Sequence, residues 1–241
     1  MLGIIFSLLF ILFIFVYKEI CFLPFLFYKN KDFKIRKARI YLREMSISLL
    51  KILNIEVTVK YKNNFDISTL DKKQNIVIIA NHQSNFDIPV LLSVFKDFDI
   101  GFVAKKEMET WPFFSRWMKR GNYIFLDRKN AREGIKNIKK AISIVNQGYP
   151  TVIFPEGERS ATGKIKKFKK GSFKLPIDSK SIIIPVTING TFHVQNRNTP
   201  FINLNKKVTV TIDSPIDLKD KDVAFKKTIH STVEKIIKEN F

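Results

Sequence analysis

Short apolar runs rich in β-branched residues recur along the chain, separated by longer stretches with helical spacing. The run "NIVIIA" at 75–80 is continuous, which is typical of a strand buried on both faces of a sheet. The pattern predicts strands at 56–61, 75–80, 100–104, 122–126, 151–154, 181–188 and 207–212, and helices at 38–55, 86–95, 106–119, 130–148 and 218–240. Alternating strands and helices predict an α/β fold, a single sandwich domain whose largely parallel sheet is flanked by helices.

The start of the chain is strongly apolar. Residues 1–17, "MLGIIFSLLFILFIFVY", carry no charge, and after Lys18 and Glu19 the uncharged run continues to residue 28. A secretory signal would place basic residues before the apolar core and small residues at a cleavage site, and this stretch has neither. Because about 17 residues is the lower limit for crossing a ~30 Å hydrocarbon core, the segment is either one spanning helix or two short helices lying in one leaflet.

This apolar start divides the chain into two regions. We predict membrane-associating hydrophobic and amphipathic helices over 1–55 and an α/β domain over 56–241. The helix at 38–55 could lie along the membrane or under the sheet. Five basic residues between 29 and 37 follow the apolar segment, so the positive-inside rule predicts a protein of the cytoplasmic membrane whose α/β domain faces the cytoplasm.

Charge and cysteine content narrow the class of partner. The chain has 42 Lys and Arg against 22 Asp and Glu, a net charge of +20, which suits an anionic membrane surface or a phosphorylated ligand. The alternative is a lysine-rich surface that serves only solubility. No nucleic-acid partner is predicted, because the sequence has no zinc-finger spacing and no evident basic recognition helix. The single cysteine, Cys21, excludes an internal disulfide.

Polar clusters follow four of the predicted strands. The carboxyl ends of parallel strands meet at one edge of a sheet, where functional residues collect, so these clusters should lie close together. They are His82 and Asp87 after 75–80, Lys105 after 100–104, Asp127 and Arg128 after 122–126, and Glu156, Gly157, Arg159 and Ser160 after 151–154. A base, carboxylates and cations at one edge predict a catalytic site. The structural alternative is that Asp87 only begins a helix and His82 is a bystander.

Other chemistries fit the sequence less well. It lacks the G-x-S-x-G elbow of serine hydrolases and the G-x-G-x-x-G fingerprint of dinucleotide-binding folds. The stretch "GERSATGK" at 157–164 is similar to a phosphate loop, but its glycines are one residue too far apart and Ile165 replaces the hydroxyl that binds magnesium. Three scattered histidines and one cysteine make no zinc set. We therefore predict neither a metal nor a resident cofactor.

Four stretches together carry a resemblance to a known family. "NHQSNFD", "GNYIFLDR", "FPEGERS" and "IIIPVTI" occur in the order and at roughly the intervals of the four sequence blocks of the glycerolipid acyltransferase family. Within that family the chain resembles the 1-acylglycerol-3-phosphate acyltransferase branch, which also carries a lysine-rich block like "AKKE" at 104–107. The resemblance covers about residues 75 to 190. The family's third block often reads E-G-T-R-S, and here Glu158 replaces the threonine.

The resemblance implies an enzyme, a 1-acylglycerol-3-phosphate O-acyltransferase of phospholipid biosynthesis. Such an enzyme moves a fatty acyl group from a thioester, acyl-CoA or acyl-acyl carrier protein as co-substrate, to the sn-2 hydroxyl of lysophosphatidic acid, giving phosphatidic acid. The implied partners are the membrane lipid bilayer, lysophosphatidic acid and the acyl donor. The alternatives are acylation of glycerol-3-phosphate or another lysophospholipid, a non-catalytic membrane-lipid-binding protein, and an anchored nucleic-acid binder.

The residues of these blocks suit acyl transfer. A hydroxyl with a pKa far above 7 needs a base near neutrality, which His82 would supply, with Asp87 fixing the tautomer of its ring. Arg159 would hold the acceptor phosphate through a bidentate fork, and Lys105 and Arg128 would add positive charge.

The rest of the third block is expected to bind substrate. Glu156 would contact the acceptor's glycerol or organise Arg159, and Gly157 would let the loop approach the ligand. Ser160 completes the same block. The structural alternative for Glu156 and Arg159 is a surface ion pair at a turn, and the neighbouring Asp127 and Arg128 could likewise be a purely structural pair.

Overall fold

The computed structural model describes residues 13, 16–25, 27–72, 74–111, 114–127 and 131–241. Its strands are β1 (Glu56–Tyr61), β2 (Ile76–Ala80), β3 (Gly101–Lys105), β4 (Ile124–Leu126), β5 (Thr151–Ile153), β6 (Ile182–Asn189), β7 (Lys207–Ile212) and β8 (Ile216–Asp217). Its helices from residue 31 onwards are α1 (Lys31–Ile52), α2 (Asp87–Val94), α3 (Phe114–Arg120), α4 (Ala131–Asn146), α5 (Lys174–Asp178), α6 (Thr191–Val194) and α7 (Val223–Glu239). Short 3-10 turns occupy Ile67–Thr69, Lys106–Thr110 and Lys170–Phe173.

The strands form one sheet in the order β1-β7-β6-β2-β5-β3-β4, and β8 pairs with β6 beside this path. Strands β6, β2, β5, β3 and β4 run parallel to one another. Strand β7 is antiparallel to β6, and β1 is parallel to β7, so these two strands run the opposite way. The predicted α/β fold with a largely parallel sheet is therefore confirmed.

The central strand β2 shows why the sheet has helices on both faces. All five of its residues are buried, as the continuous run of β-branched side chains predicts. Ile76 and Ile78 point into a core shared with α1, α2 and α3, while Val77 and Ile79 point into a core shared with α4, α5 and α7. The period of two along one strand thus supplies the cores of both helical layers.

Helix α1 packs under the sheet rather than standing apart from it. It begins after Asn30, whose side chain accepts from the amide of Phe33 at 3.0 Å, a conventional N-cap. The guanidinium of its buried Arg39 donates to the carbonyl oxygens of Gly121 (2.8 Å) and Asp99 (2.5 Å). Gly101 has no side chain, and a Cβ there would lie 2.6 Å from the guanidinium of Arg39. The missing side chain therefore makes the slot that the arginine fills.

Several predicted elements are shorter or broken in the structure. The helix expected at 106–119 is a 3-10 turn at Lys106–Thr110 followed by α3, and the strand expected at 122–126 begins at Ile124. Asn122 has a φ of +55°, which a strand residue does not adopt. The final helix begins at Val223 because Asp222 caps it, its side chain accepting from the amide of Phe225 at 2.6 Å.

The predicted apolar segment 1–17 lies almost entirely outside the described residues, which begin with 13 and 16–25. Residues 16–25 are helical and pack on the domain through the buried ring of Phe22, 5.1 Å from the ring of Trp117 and 5.9 Å from that of Tyr41. No helix among the described residues has the length and apolarity needed to span a bilayer. The boundary at residue 55 and the mode of insertion stay predictions.

Candidate active site

The loop after β2 is fixed at the carboxyl edge of the parallel strands. The side-chain amide of Asn81 donates to the carbonyl oxygen of Ile188 (2.8 Å) and accepts from the amide of the same residue (2.7 Å). These two hydrogen bonds to strand β6 hold the backbone where residue 82 leaves the sheet. The next residues turn at once into α2, whose first residue is Asp87.

His82 and Asp87 are in direct contact. The Nδ1 atom of His82 lies 2.7 Å from an Asp87 carboxylate oxygen, although five positions separate the two residues. The same oxygen accepts from the amides of Gln83 (2.7 Å) and Ser84 (2.9 Å), and the hydroxyl of Thr191 donates to the other oxygen. Asp87 is fully buried at the start of a helix, where backbone N–H groups and the helix dipole stabilise a carboxylate.

The imidazole of His82 is held on one side and open on another. Its ring stacks on that of Phe154, with centroids 4.1 Å apart and planes 13° apart. The side chain keeps 16% of its surface exposed, and Nε2 has no hydrogen-bond partner among the described residues. Nδ1 is occupied by Asp87, so Nε2 is the nitrogen available to accept a proton from a substrate.

Glu156 supports the backbone of His82. Its buried carboxylate accepts from the amide of His82 (2.7 Å) and from the amide of Lys166 (2.9 Å). Sequence reasoning placed this carboxylate on the glycerol or on Arg159, yet the structure directs its oxygens to two backbone amides. A surface ion pair does not fit, because Glu156 is only 3% exposed. Gly157, the next residue, has a φ of +82°, which makes the turn that returns the loop to the site.

The third sequence block, 154–160, is also hydrogen-bonded to the first block, 81–87, through Ser160. The amide of Ser160 donates to the carbonyl oxygen of His82 at 2.8 Å, and its hydroxyl donates to the carbonyl oxygen of Lys164 at 2.7 Å. Ser160 thus holds two loops together, and its hydroxyl is already used by the chain. The sequence predicts Ser160 to be a substrate-binding residue, whereas both of these hydrogen bonds join parts of the chain to one another.

Arg159 is the only basic residue of the third block, 154–160, and it has no ion-pair partner in the described structure. Its guanidinium makes no ion pair or side-chain hydrogen bond among those residues, whereas Glu158 pairs with both Lys166 and Arg197 at 2.8 Å. Burial lowers the pKa of Arg159, and the nearby charge of Arg197 acts in the same direction. A half-buried guanidinium with vacant donors is suited to an anionic ligand.

The remaining predicted residues lie at the same edge or outside the described chain. Lys105 ends strand β3 and is exposed. Asp127 forms an ion pair with Lys106 at 3.0 Å, and its predicted neighbour Arg128 lies outside the described residues. The described residues hold no group of three side chains placed to ligate a metal, and the expectation of no cofactor stays a prediction.

An apolar cavity of about 310 Å³ adjoins the site. It is lined by α1, α2, α3, β3 and the loops beside them, including Met45, Phe86, Phe102 and Ile202. The rings of Phe102 and Phe154 lie 6.2 Å apart, and Phe154 in turn stacks on His82. The imidazole of His82 is therefore one aromatic ring away from the lining of the cavity.

Sequence reasoning missed the residues that hold this arrangement. Thr191 donates to Asp87, and the side-chain oxygen of Gln83 accepts from the amide of Gly190 at 3.1 Å. Thr191 lies three residues after the end of the fourth block, and this proximity is the only signal in the sequence that could have pointed to it. The stacking ring belongs to Phe154, the first residue of the third block, which looks like the last residue of the strand predicted at 151–154.

The buried carboxyl of Glu156 predicts a pH-dependent stability. Burial raises its pKa from an ordinary 4.5 to about 7, against the lowering effect of the bonds from His82 and Lys166. The folded protein therefore keeps a proton that the unfolded chain has lost, and stability falls as pH rises from about 4.5 through about 7. We expect Glu156→Gln to flatten this part of the profile, measured by urea unfolding between pH 5 and pH 8.

Glu158→Gln is the matched control for that experiment. Ion pairs with Lys166 and Arg197 lower the pKa of the exposed Glu158 to about 2, so its contribution changes only below the ordinary value of 4.5. The comparison uses the slope of the unfolding free energy against pH. Glu156→Gln also loses one of the two hydrogen bonds of this side chain, which lowers the free energy at every pH and leaves the slope unaffected. If the unfolding free energy depended on pH equally in wild type and in Glu156→Gln, the folded protein would not keep a proton on Glu156 in this pH range.

Comparison with known proteins agrees with the arrangement of the blocks. Over 131 residues the chain is 33% identical to the probable 1-acyl-sn-glycerol-3-phosphate acyltransferase of Mycoplasma pneumoniae, covering 52% of this chain and 48% of that protein. It is 28% identical over 188 residues to the 1-acyl-sn-glycerol-3-phosphate acyltransferase of Cocos nucifera, covering 78% of this chain and 58% of that protein. The chain thus spans about half the length of the curated relatives that it matches.

The fold and the family model lead to the same group. The crystal structure of the 1-acyl-sn-glycerophosphate (LPA) acyltransferase from Thermotoga maritima superposes with a TM-score of 0.78 at 23% identity, over 99% of this chain and 95% of that one. This likeness shows a shared fold. The family model described as Acyltransferase matches residues 57–189, more than half of the chain and all four sequence blocks. The resemblance predicted from those blocks is therefore confirmed, and the chain belongs to the acyltransferase family.

Proposed function

We propose that the protein transfers a fatty acyl group from an acyl thioester to the sn-2 hydroxyl of 1-acylglycerol-3-phosphate, giving phosphatidic acid. The observation that carries the proposal is the His82–Asp87 pair at 2.7 Å, with Nε2 of the ring unpartnered among the described residues. The apolar cavity and the uncompensated Arg159 beside the pair supply places for an acyl chain and a phosphate. The relatives from Mycoplasma pneumoniae and Cocos nucifera, both named as 1-acyl-sn-glycerol-3-phosphate acyltransferases, support the same substrate.

The proposed reaction is a direct displacement at the thioester carbonyl. Nε2 of His82 removes the proton of the acceptor hydroxyl as its oxygen attacks, and Asp87 stabilises the imidazolium that forms. The tetrahedral intermediate then collapses, the carbon–sulfur bond breaks, and the imidazolium returns the proton to the leaving thiolate. The new ester bond links the acyl group to the acceptor, and the histidine is again neutral.

The cavity suits the apolar part of a substrate. Each methylene group moved from water to an apolar surface contributes about 0.8 kcal/mol, so a fatty chain gains most by lying in a cavity lined by Leu, Met, Ile and Phe side chains. Since the lining reaches within one ring of His82, a chain in the cavity would bring its ester or thioester end to the base.

The acceptor phosphate is assigned to Arg159. A guanidinium binds phosphate through two parallel N–H···O bonds, and the donors of Arg159 are not used within the described structure. Lys105 at the end of β3 adds positive charge to the same edge of the sheet. Arg128 is retained in the proposal from its sequence block alone, because it lies outside the described residues.

Arg159→Ala is expected to raise the KM for lysophosphatidic acid by at least roughly tenfold, with a much smaller effect on the KM for the acyl donor. The reason is the loss of the fork that fixes the phosphate. The measurement is a steady-state assay in which each substrate is varied in turn, with a phosphate-free monoacylglycerol as a second acceptor.

The matched control is Arg197→Ala, which removes a nearby guanidinium that is already paired with Glu158 at 2.8 Å. It should change the KM for the acceptor far less. Equal effects of the two variants, or an equal loss with the phosphate-free acceptor, would show that Arg159 serves general electrostatics or the fold instead of the phosphate.

The activity itself is tested with purified full-length protein, lysophosphatidic acid and each of the two donors, acyl-CoA and acyl-acyl carrier protein. We expect phosphatidic acid by mass spectrometry with at least one donor. Glycerol-3-phosphate and a lysophospholipid with a blocked phosphate are parallel acceptors, and turnover of either in preference to lysophosphatidic acid would replace the proposed substrate. Binding to lipid without turnover of any acceptor would favour the non-catalytic alternative.

We also place the protein at the cytoplasmic membrane with the domain on the cytoplasmic side. The support is the apolar sequence 1–28, the basic residues that follow it, and the side chains that residues 16–25 and 27 leave exposed. Ile20, Leu23 and Phe27 expose half or more of their surface. Such a patch is suited to a bilayer, where the acceptor lipid resides.

A further inference from the structure

The connection from α6 to β7, residues 195–206, exposes several apolar side chains together. Phe201 is 75% exposed, and Ile202 and Leu204 are 37% and 41% exposed. Single exposed apolar residues are common on protein surfaces, but three within four positions form a patch that calls for a partner. Sequence reasoning assigned this stretch no role.

The backbone of this connection is fixed. The amide of Asn203 donates to the carbonyl oxygen of Val194 at 2.8 Å, and its side chain donates to the carbonyl oxygen of His193 at 2.9 Å. Asn205 donates from its amide to the carbonyl oxygen of Leu53 at 3.1 Å, just past the end of α1. The chain is therefore tied to two helices, and the apolar side chains are held outward by a defined backbone.

The exposed patch is continuous with the apolar cavity. Gln195 and Ile202 both line the cavity, and so does Trp111, which is itself 43% exposed. The exposed patch thus meets the cavity at Ile202, and the lining also includes Phe102, whose ring lies 6.2 Å from the Phe154 ring that stacks on His82.

The segment that carries the patch has a net positive charge. Residues 195–207, "QNRNTPFINLNKK", contain three basic residues and no acidic one. Arg197 pairs with Glu158 at 2.8 Å and Lys207 with Glu56 at 3.5 Å, whereas Lys206 makes no ion pair in the described structure. A net basic segment with exposed apolar tips suits a bilayer with anionic lipids, where the tips enter the hydrocarbon and the cation meets the headgroups.

A second exposed apolar surface belongs to a helix that packs on two of the helices lining the same cavity. Residues 16–25 pack through Phe22 on Tyr41 of α1 and Trp117 of α3, and Met45 and Met118 of those two helices line the cavity. The N-terminal helix therefore packs on two helices that line the cavity, and the connection 195–206 contributes lining residues of its own.

We propose that the connection 195–206 is a second membrane contact, which inserts Phe201, Ile202 and Leu204 into the bilayer and opens the apolar cavity toward it. Two separated contacts would fix the orientation of the domain as well as its distance from the membrane. The insertion stands on the exposed patch, its fixed backbone and its charges. Only the passage of an acyl chain from bilayer to cavity rests on the proposed function.

The test uses the full-length protein with one fluorophore at a chosen position. In a Cys21→Ser background, Phe201→Cys is labelled with nitrobenzoxadiazole and mixed with vesicles of equal phosphatidylglycerol and phosphatidylcholine. The control is Val223→Cys, which is 69% exposed at the start of α7, a helix that packs on the other face of the sheet. We expect a blue-shifted, brighter emission at 201 that spin-labelled lipid quenches, and no change at 223.

Two outcomes would overturn the proposal. In the first, the protein floats with the vesicles while aqueous iodide quenches the label at 201 as strongly as the label at 223. In the second, the emission at 201 shifts without vesicles and in proportion to protein concentration, which would show that a second copy of the chain covers the patch.

A pair of serine variants measures the strength of the contact. Phe201→Ser with Leu204→Ser should lower the vesicle partition coefficient at least roughly tenfold, and Val223→Ser should leave it unchanged. If acyl transfer is absent but the label at 201 enters the bilayer, the proposed function fails and the contact stands. If transfer is present but the label stays in water and the serine pair partitions like wild type, the contact fails alone.

Discussion

His82→Ala should reduce acyl transfer by at least roughly a thousandfold while the protein stays folded. General base catalysis by a placed side chain contributes on the order of 10² to 10⁴ in rate, and this imidazole is the base in direct contact with a buried carboxylate. The fold should survive because Asp87 keeps its bonds from Gln83, Ser84 and Thr191. Initial rates with lysophosphatidic acid test the first point, and urea unfolding tests the second.

His193→Ala is the control within the same chain, since His193 is exposed and its ring has no contact with Asp87. It should turn over like wild type. Added imidazole should restore part of the activity of His82→Ala, because the space that the ring vacates lies against Phe154 and Asp87. A rate near that of wild type for His82→Ala in a folded protein would remove the histidine from the mechanism.

The sequence predicted the central strands well because burial itself shapes their pattern. Strands β2 and β6 are rich in Ile and Val, and the structure buries every residue of β2 and all but the last of β6. The direction of a strand within the sheet produces no comparable pattern of residues in the sequence. The antiparallel run of β7 could not be predicted, because β7 alternates like any half-buried strand and the chain from β6 contains only the four-residue α6.

Buried polar residues mark a second limit of the sequence pattern. Arg39 lies in an amphipathic helix, where a basic residue is normally solvated, yet it is 1% exposed. Only the absence of a side chain at Gly101 and the rings of Tyr123 and Tyr149 create its slot, and these residues are distant in sequence. Burial of this kind is set by tertiary contacts that no local window contains.

The sequence predicted which residues form the candidate site better than it predicted the contacts that those residues make. Spacing and residue type brought His82, Asp87 and Arg159 to one edge of the sheet, as parallel strands require. The partner of Glu156 was not predictable, because a carboxylate in a polar block looks solvated until the fold buries it against the amide of His82. The cavity was missed for the same reason, since each residue of its lining resembles an ordinary core residue.

Asp87→Asn should lower kcat at least roughly a hundredfold and leave the KM values for both substrates nearly unchanged. Asp87 is fully buried, so it touches no substrate and acts only through the ring of His82. An amide oxygen in place of the occupied carboxylate oxygen still accepts from Gln83 and Ser84, and the amide nitrogen then faces Thr191, whose hydroxyl can accept as well as donate. The substitution therefore removes the charge and keeps the scaffold.

The double variant decides whether the two residues act as one unit. If Asp87 serves only the imidazole, adding Asp87→Asn to His82→Ala should cost nothing further in rate, because the group it stabilises is gone. Thr191→Val is the structural control, since it removes one hydrogen bond to Asp87 and keeps the charge, and its loss in kcat should be far smaller. A further drop in the double variant, or a raised KM in Asp87→Asn with kcat intact, would mean that the carboxylate shapes the site and does not stabilise an imidazolium.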